Sequence, residues 1–179
     1  MTEPVARRVF FAYWPDAAAR AALDAIARAG VALCGGRRMR PESLHVTLAF
    51  IGAVSPERLD ALRAAAGTVR AEAFEAVFDH LGFWPHNRIF WAGCAAPPSR
   101  QRRLSEHLNG ILAAAGFPVE ERPHFPHVTL ARNARCTSLP SLAAPIRWPV
   151  REFALVASSL SPGGASYSVL ARWPLIENA

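Results

Sequence analysis

The chain has 179 residues and a mass of 19.4 kDa, enough for one domain with a sizeable hydrophobic core. Hydrophobic residues make up 51% and charged residues 19%, which excludes disorder as the main state, and arginines interrupt every apolar run before it could span a membrane. Basic residues outnumber acidic ones by 20 to 14, and all of them are arginine, whose planar guanidinium suits phosphate oxygens.

Apolar periodicity and turn residues predict about seven strands and three helices in mixed order, hence an α+β fold with antiparallel sheets. The helices are expected to begin at the N-caps Asp16, Ser55 and Ser99. Segments 35–41 and 136–149 are predicted as loops, and the last two strands as a hairpin around 162–164. The predicted strands are 7–13, 44–51, 74–81, 89–93, 125–132, 151–160 and 166–173.

One repeat carries the functional information in this sequence. Residues 45–49 read His-Val-Thr-Leu-Ala, and residues 127–131 read the same, close to half the chain later. Each copy follows a proline-containing lead-in and a predicted helix. We therefore interpret the repeat as a duplication that places two equivalent strands around a pseudo-twofold axis.

Strand alternation puts the polar residues of each copy on one face. His45 and Thr47 share a face in the first copy, and His127 and Thr129 share one in the second, each beside a small alanine. We expect a groove lined by two imidazoles and two hydroxyls. The ordinary histidine pKa near 6.5 lets one ring be protonated and the other neutral, as a paired general acid and base require.

Other chemistries find less support in the sequence. A zinc site built on the two motif histidines would need a third ligand, for which His124 is the only near candidate. No G-x-S-x-G occurs, and no cysteine has an activating context. The remaining histidines are interpreted as surface or satisfied side chains: His80, His86 and His107.

With these two motifs the chain closely resembles the 2H phosphoesterase superfamily, which is defined by paired H-x-[TS]-x motifs. Within it, the chain resembles the bacterial and archaeal RNA 2′,3′-cyclic phosphodiesterases, long called 2′-5′ RNA ligases. The similarity runs from VFFAYWP at 9–15 through HVTLAFIG at 45–52 and PHVTLAR at 126–132 to WPL at 173–175. It implies a bilobal, LigT-like fold, with two antiparallel sheets related by a pseudo-twofold around a central cleft and helices outside. Residues 1–179 would form a single domain of two lobes.

The same resemblance implies hydrolysis of an RNA 2′,3′-cyclic phosphate to a 2′-phosphomonoester, without a metal or other cofactor. His45 would be the proton donor to the leaving O3′, and His127 the proton acceptor that activates water. Thr47 and Thr129 would hold the phosphate.

Arg132 resembles an arginine that follows the second motif in the family. Strict alternation puts Arg132 on the face opposite His127, so it reaches the phosphate only if a bulge or strand end interrupts the strand. Alternation also puts Phe50 on the apolar face, where core packing is expected. Weaker candidates for contact with RNA are the three loop arginines Arg37, Arg38 and Arg40. Three aromatic side chains are candidates for stacking on the terminal base, with core packing favoured for the second of them: Phe11, Phe50 and Trp91.

Two other functions stay open at this point. The substrate could be a small cyclic nucleotide or an ADP-ribose cyclic phosphate. Alternatively, the protein could be an RNA-end-binding module with weak turnover and 2′-5′ ligase side activity. Paired proton-transfer groups favour an enzyme, because binding alone does not require them.

The cysteines and the first residues bear on localisation. Cys34, Cys94 and Cys136 are an odd number without CxxC spacing, which argues against a disulfide framework and against a cysteine-based zinc site. Residues 1–4 have no basic stretch leading into an apolar one, as a signal peptide would. We therefore expect a reduced, cytoplasmic, monomeric protein that uses no metal and binds no membrane.

Overall fold

The computed structural model describes residues 6–120, 124–161 and 164–177, and over these ranges it confirms the α+β class. The strands are β1 (Arg7–Tyr13), β2 (Arg37–Arg38), β3 (Val46–Val54), β4 (Phe74–Phe78), β5 (His80–Trp84), β6 (Ile89–Gly93), β7 (His127–Arg132), β8 (Ile146–Val150), β9 (Glu152–Ser161) and β10 (Gly164–Pro174). The helices are α1 (Ala17–Cys34), α2 (Pro56–Ala66) and α3 (Ser99–Ala114), with a 3₁₀ turn at Pro41–Ser43. Within these described ranges, no helix is both long and apolar enough to cross a membrane.

Eight of the strands form one antiparallel sheet with the two motif strands at its centre. Its order is β10-β9-β1-β3-β7-β6-β5, and β2 also pairs with β7. Within the described ranges, one residue pair joins the two four-stranded halves, Val46 with Val128. Strands β4 and β8 form a separate small sheet. The two expected sheets are therefore two halves of one sheet, while a single two-lobed domain over residues 1–179 stays a prediction.

The helices cover one face of this sheet and leave the other face for a cleft. Val46, Leu48, Val128 and Leu130 of the motif strands lie in the main core, with at most 3% of each side chain exposed. Burying each such side chain contributes about 1.5–3 kcal/mol, so this face fixes which way the strands point. The helical residues that pack into the same core include Leu23, Leu62, Leu104, Leu108 and Leu112.

Each motif strand contains a β-bulge at the same place in the repeat. In β3, Thr47 and Ala49 pair with consecutive residues of β1, which leaves Leu48 without a partner. In β7 the equivalent Leu130 is left without a partner against β6. A residue inserted in this way reverses the alternation of the side chains that follow it.

The bulges confirm one expectation and overturn two others. Arg132 reaches the cleft face, as it could only with an interruption of the strand. Ala49 and Ala131 were expected to leave room in the groove but are buried in the core. Phe50 was expected in the core, but it lies on the cleft face with 43% of its surface exposed.

Several predicted boundaries also change, because short paired segments depend on distant partners. The predicted loop 35–41 contains β2, which pairs with β7, and the predicted loop 136–149 contains most of β8, which pairs with β4. The predicted strand 74–81 is divided between β4 and β5. Asp16 and Ser55 are the N-cap residues of α1 and α2 as expected, although only the Asp16 side chain accepts a hydrogen bond from its helix. Ser99 is the first residue of α3, and the N-cap is Pro98. Part of the predicted turn at 162–164, and the segment 1–4, lie outside the described residues.

The expectation of unpaired cysteines is wrong, because Cys34 and Cys136 form a disulfide. Cys34 ends α1, and Cys136 follows β7. The pairing of β2 with β7 brings these two chain segments together, so that the cysteines lie 4.4 Å apart between Cα atoms. Cys94 is free and buried.

Two glycines connect α1 to β2, and only the second touches the motif strand. Gly35 and Gly36 have positive φ values of 65° and 89°. A Cβ atom at Gly36 would lie 2.6 Å from the backbone oxygen of Arg132, whereas one at Gly35 would meet nothing within 4 Å. Gly36 therefore allows the close approach that aligns β2 with the end of β7.

We predict that Gly36→Ala destabilises the protein more than Gly35→Ala does. Both variants strain a positive φ, which costs about 1–3 kcal/mol, but Gly36→Ala also forces the backbones apart, which adds about 1–3 kcal/mol. Urea unfolding of the two variants beside the parent protein measures the difference. Equal losses would contradict the close approach of β2 to β7.

Candidate active site

A cleft of about 830 Å³ opens over the centre of the sheet, where β3 and β7 meet. His45, Thr47, His127 and Thr129 all line it, so the structure brings the four residues of the repeated motif together. Each of these side chains is partly buried, in the same order along both strands. The duplication in sequence thus corresponds to a duplicated arrangement around one cavity.

The two motif histidines are anchored in the same way. The Nδ1–H of His45 donates to the carbonyl of Ser43 at 2.7 Å, and the Nδ1–H of His127 donates to the carbonyl of Phe125 at 2.9 Å. Because a carbonyl oxygen only accepts, Nδ1 carries the proton in the neutral ring. Nε2 is then the nitrogen that each ring can offer to a molecule in the cleft.

Aromatic rings surround His45. The ring centroids of Phe10, Trp14 and Tyr167 lie 5.0, 5.4 and 5.2 Å from that of the imidazole. Phe10 and Trp14 come from the first strand and the residue after it, whereas Tyr167 reaches over from β10. These contacts fix the plane of the ring and exclude water from most of it.

Burial lowers the pKa of both histidines. The pKa of His45 falls from 6.5 to about 4, mainly because burial penalises the charged ring; the positive charges of His127 and Arg132 lower it further, against the bond to Ser43. Burial and Arg132 also lower the pKa of His127, against the bond to Phe125. At neutral pH both rings are therefore neutral when the cleft is empty, and an anion in the cleft would raise both pKa values.

The cleft has the electrostatic character of an anion site. Arg8, Arg37, Arg40 and Arg132 line it, and no acidic side chain does so among the described residues. Arg37 lies beside Arg132 because β2 pairs with β7 in that register. Burial raises the pKa of Tyr167, and the charges of Arg132, Arg37 and Arg40 oppose this effect because they favour the phenolate.

Three of the weaker sequence candidates are wrong. Trp91 is buried and does not line the cleft. Arg38 turns away from the cleft and forms an ion pair with the buried carboxylate of Asp24 in α1, because successive strand residues face opposite sides. Phe11 is fully buried in the core, and its neighbour Phe10 faces the cleft instead. Arg37 and Arg40 do line the cleft.

Among the residues of the cleft, sequence reasoning gave no functional role to Arg8, Phe10 or Tyr167. It named Phe50 as a possible stacking residue but favoured core packing for it. Alternation along β1 could have placed Arg8 and Phe10 on one face, since Phe11 lies on the other. No local signal indicates which face of β1 meets the cleft. Tyr167 depends on the pairing of β10 with β9 at the far side of the sheet.

His124 links the second motif to the first. Its Nε2–H donates to the carbonyl of Thr47 at 2.8 Å, across the junction between β3 and the segment that leads into β7. Its Nδ1 is buried without a partner, and burial lowers its pKa to about 4, with a smaller effect of His127. In the described part of the chain, no three His, Cys, Asp or Glu side chains are grouped to hold a metal.

Comparison with known proteins gives consistent matches. Residues 14–91 match the family model described as LigT like Phosphoesterase. A relative from Escherichia coli named RNA 2′,3′-cyclic phosphodiesterase is 36% identical over 143 residues, which cover 79% of this chain and 81% of that protein. A relative of the same name from Thermus thermophilus is 33% identical over 180 residues, covering 94% of this chain and 90% of that one.

Solved structures match over almost the whole chain. E. coli LigT complexed with 3′-AMP superposes with a TM-score of 0.87 at 34% identity, covering 95% of this chain and 98% of that one. The protein TT0787 of T. thermophilus superposes with a TM-score of 0.82 at 30% identity, covering 96% and 100%.

The lowered histidine pKa values predict that stability falls in acid. The unfolded chain takes up protons near pH 6.5, whereas folded His45 and His124 do so only near pH 4. The contribution of the two neutral rings to the free energy of unfolding is thus fully present above about pH 6.5 and is lost as the pH falls toward 4. At pH 5 the loss is on the order of 1–2 kcal/mol for each ring.

Urea unfolding at pH 7.5 and pH 5 tests this prediction. His45→Asn and His124→Gln keep a side-chain N–H near the original donor position but cannot be protonated. The double variant should lose less stability between the two pH values than the parent protein. An unchanged loss would contradict the assignment of the acid sensitivity to these two rings.

Proposed function

The chain belongs to the LigT-like phosphoesterase family and is a phosphoesterase, and we propose that it hydrolyses RNA 2′,3′-cyclic phosphate ends to 2′-phosphomonoesters by paired-histidine catalysis. The name shared by its relatives, RNA 2′,3′-cyclic phosphodiesterase, supports the substrate class. The main support for the mechanism is that two histidines line one cleft and are held in the same way. Each ring has its Nδ1 bound to a backbone carbonyl and its Nε2 available.

Each motif residue then has a role in the reaction. Water attacks the phosphorus atom while Nε2 of His127 takes its proton, and the bond from phosphorus to O3′ breaks while Nε2 of His45 donates a proton to O3′. The phosphate remains on O2′. The hydroxyls of Thr47 and Thr129 donate to the nonbridging oxygens, and the guanidinium of Arg132 balances their charge.

The negative charge of the substrate favours the protonated histidine that this proton transfer requires. An acceptor must be neutral and a donor protonated, yet burial keeps both rings neutral in the empty cleft. The phosphodiester anion favours protonation of a neighbouring ring, and two coupled rings share that proton as a pair. Binding of the anion thus prepares the donor.

We predict that an oligonucleotide ending in a 2′,3′-cyclic phosphate gives a 2′-phosphate as the product. Chromatography against authentic 2′- and 3′-phosphate ends resolves the two. A 3′-phosphate product would contradict the departure of O3′, and an unchanged oligonucleotide would contradict the proposed substrate.

We predict that His45→Asn and His127→Asn each lower turnover by about 10²–10⁴, the usual effect of losing one general acid or base. The asparagine amide can keep the bond to the backbone carbonyl, so the loss reports on Nε2. A substrate whose leaving oxygen needs no proton should rescue His45→Asn but not His127→Asn.

His107→Asn is the matched control for these variants. The Nδ1–H of His107 also donates to a backbone carbonyl, that of Arg70 at 3.0 Å, but the ring is exposed on α3, away from the cleft. Its turnover should equal that of the parent protein. Rescue of His127→Asn instead of His45→Asn would reverse the donor and acceptor, and losses of only a few-fold would contradict the mechanism.

We predict that Arg37→Ala weakens the binding of a single-stranded RNA with a 2′-phosphate end. It should also reduce the slope of log binding constant against log salt concentration by about 0.7, the value for one phosphate contact. Arg38→Ala removes the same charge one residue later, from a side chain bound to Asp24. It should lower the free energy of unfolding and leave the slope unchanged. Fluorescence titrations over a range of salt concentrations measure the slope for each variant, and urea unfolding measures the free energy. Equal slopes for the two variants would contradict the role of Arg37.

A further inference from the structure

The disulfide closes one end of the short ladder between β2 and β7, which holds two arginines of the cleft. Arg37 pairs with Arg132 in that ladder, and both side chains line the cleft. Beyond this pair, Cys34 and Cys136 are joined through their sulfur atoms. The cross-link therefore lies close to both arginines in the chain, at the point where the two segments would otherwise separate.

The chain on either side of the disulfide is loosely packed. Before β2, a Cβ atom at Gly35 would meet nothing within 4 Å. After Cys136, most of residues 137–145 are exposed. A backbone bond of 2.9 Å from Arg135 to the carbonyl of Cys34 spans the same place. Because glycine has the widest conformational freedom of any residue and exposed segments open readily, breaking the cross-link frees this end of the ladder to open.

The ladder also sets where the arginine segment, residues 37–40, crosses the rim of the cleft. Nη2 of Arg40 donates to the carbonyl of Ala165 in β10 at 2.9 Å. The side chain of Arg37 reaches the same strand, since a Cβ atom at Gly164 would lie 2.8 Å from its Nη1. The arginine segment thus bridges the two halves of the sheet, and its position depends on how firmly its first residue is held to β7.

The two sulfur atoms differ in their access to a reductant. Cys34 is 5% exposed and packs in the main core at the end of α1. Cys136 is partly buried and leads into the exposed residues 137–145. Thiol–disulfide exchange requires that a thiolate reach one sulfur atom of the bond. A small dithiol therefore attacks Sγ of Cys136, and Cys34 is the leaving thiolate.

We propose that Cys34 and Cys136 form a redox-sensitive modification site, and that their disulfide holds the arginine segment in the position that binds RNA. Dithiols are the chemical class of reductant that acts on this site. The inference rests on the proposed function in taking the anion of the cleft to be an RNA phosphate, and it adds the regulation of that same site.

The exchange balances between the protein and the dithiol. One thiolate of the dithiol forms a bond to Sγ of Cys136, and the protein disulfide breaks with its electron pair on Sγ of Cys34. The second thiolate of the reductant then bonds to its first sulfur atom and releases Cys136 as a thiolate. The protein gains two electrons and two protons, and the dithiol is oxidised to a cyclic disulfide.

The test measures binding of a single-stranded RNA with a 2′-phosphate end to the full chain, oxidised and after reduction with dithiothreitol. Thiol titration verifies each state. Reduction should weaken binding on the order of 5-fold, at the low end of couplings between two sites. It should also reduce the slope of log binding constant against log salt concentration by about 0.7, the value for one phosphate contact.

Coupling between two sites is reciprocal, which gives a second expected result. Saturating RNA should make the disulfide harder to reduce by the same factor by which reduction weakens RNA binding. The ratio of reduced to oxidised dithiothreitol at half-reduction of the protein measures this factor. No shift of that ratio with RNA would overturn the proposal.

Three variants separate this effect from a general loss of stability. Cys136→Ser should bind RNA like the reduced protein and should not respond to dithiothreitol. Cys94→Ala is the matched control, because it removes the free, buried thiol and should keep the full response. In Arg37→Ala, reduction should leave the salt slope unchanged, because the contact that it would weaken is already absent.

Hydrogen exchange provides a measurement that needs no ligand. The amide of Met39 donates to the carbonyl of Leu130 at 2.9 Å, so its exchange reports on the ladder between β2 and β7. Reduction should speed this exchange more than that of the amides in β9 (Glu152–Ser161). Equal exchange in the two states, or a lower urea midpoint with unchanged RNA binding, would overturn the proposal. If the parent protein binds no RNA in either state, the proposed function fails, and the exchange of Met39 still decides whether the disulfide holds the arginine segment.

Discussion

The β-bulges at Leu48 and Leu130 are the constraint on which the rest of the site depends. In each motif strand, His and Thr face the cleft by ordinary alternation, and the leucine that follows is buried under the helices. A regular strand would return the next alanine to the cleft and send position 50 or 132 into the core. The unpaired leucine reverses this order, so that the small alanine fills the core and the side chain at position 50 or 132 reaches the cleft.

The junction between the two halves of the sheet sets how the motifs face each other. Among the residues that the structure describes, the sheet pairing across it is the single pair of Val46 with Val128. The bond from His124 to the carbonyl of Thr47 adds a side-chain link. Both contacts lie within two residues of a motif histidine or threonine. The relative position of the two imidazoles is therefore fixed by packing under the strands and by this link, rather than by a long ladder of hydrogen bonds.

The electrostatics of the cleft oppose protonation until an anion arrives. Burial lowers the pKa of His45 and His127, and Arg132 lowers both further, so that the empty site holds two neutral rings in a field of arginines. An anion bound in the cleft would reverse this balance through its own charge. The arginines and the lowered pKa values favour an anion in the cleft, and in the proposed mechanism the binding of that anion prepares the proton donor.

The sequence alone predicted the α+β class, the duplication and the four motif residues, because these follow from periodicity and from an identical five-residue repeat. It could not place Phe50 or reject Phe11 and Arg38, because those side chains depend on the bulges, on which face of β1 is covered, and on an ion pair with α1. Alternation is a local property that the residues themselves specify. Other features form only when distant segments pack together: the bulges, the covered face of β1 and the disulfide between Cys34 and Cys136. The contacts that stabilise them join residues far apart in the sequence, so local patterns do not predict them.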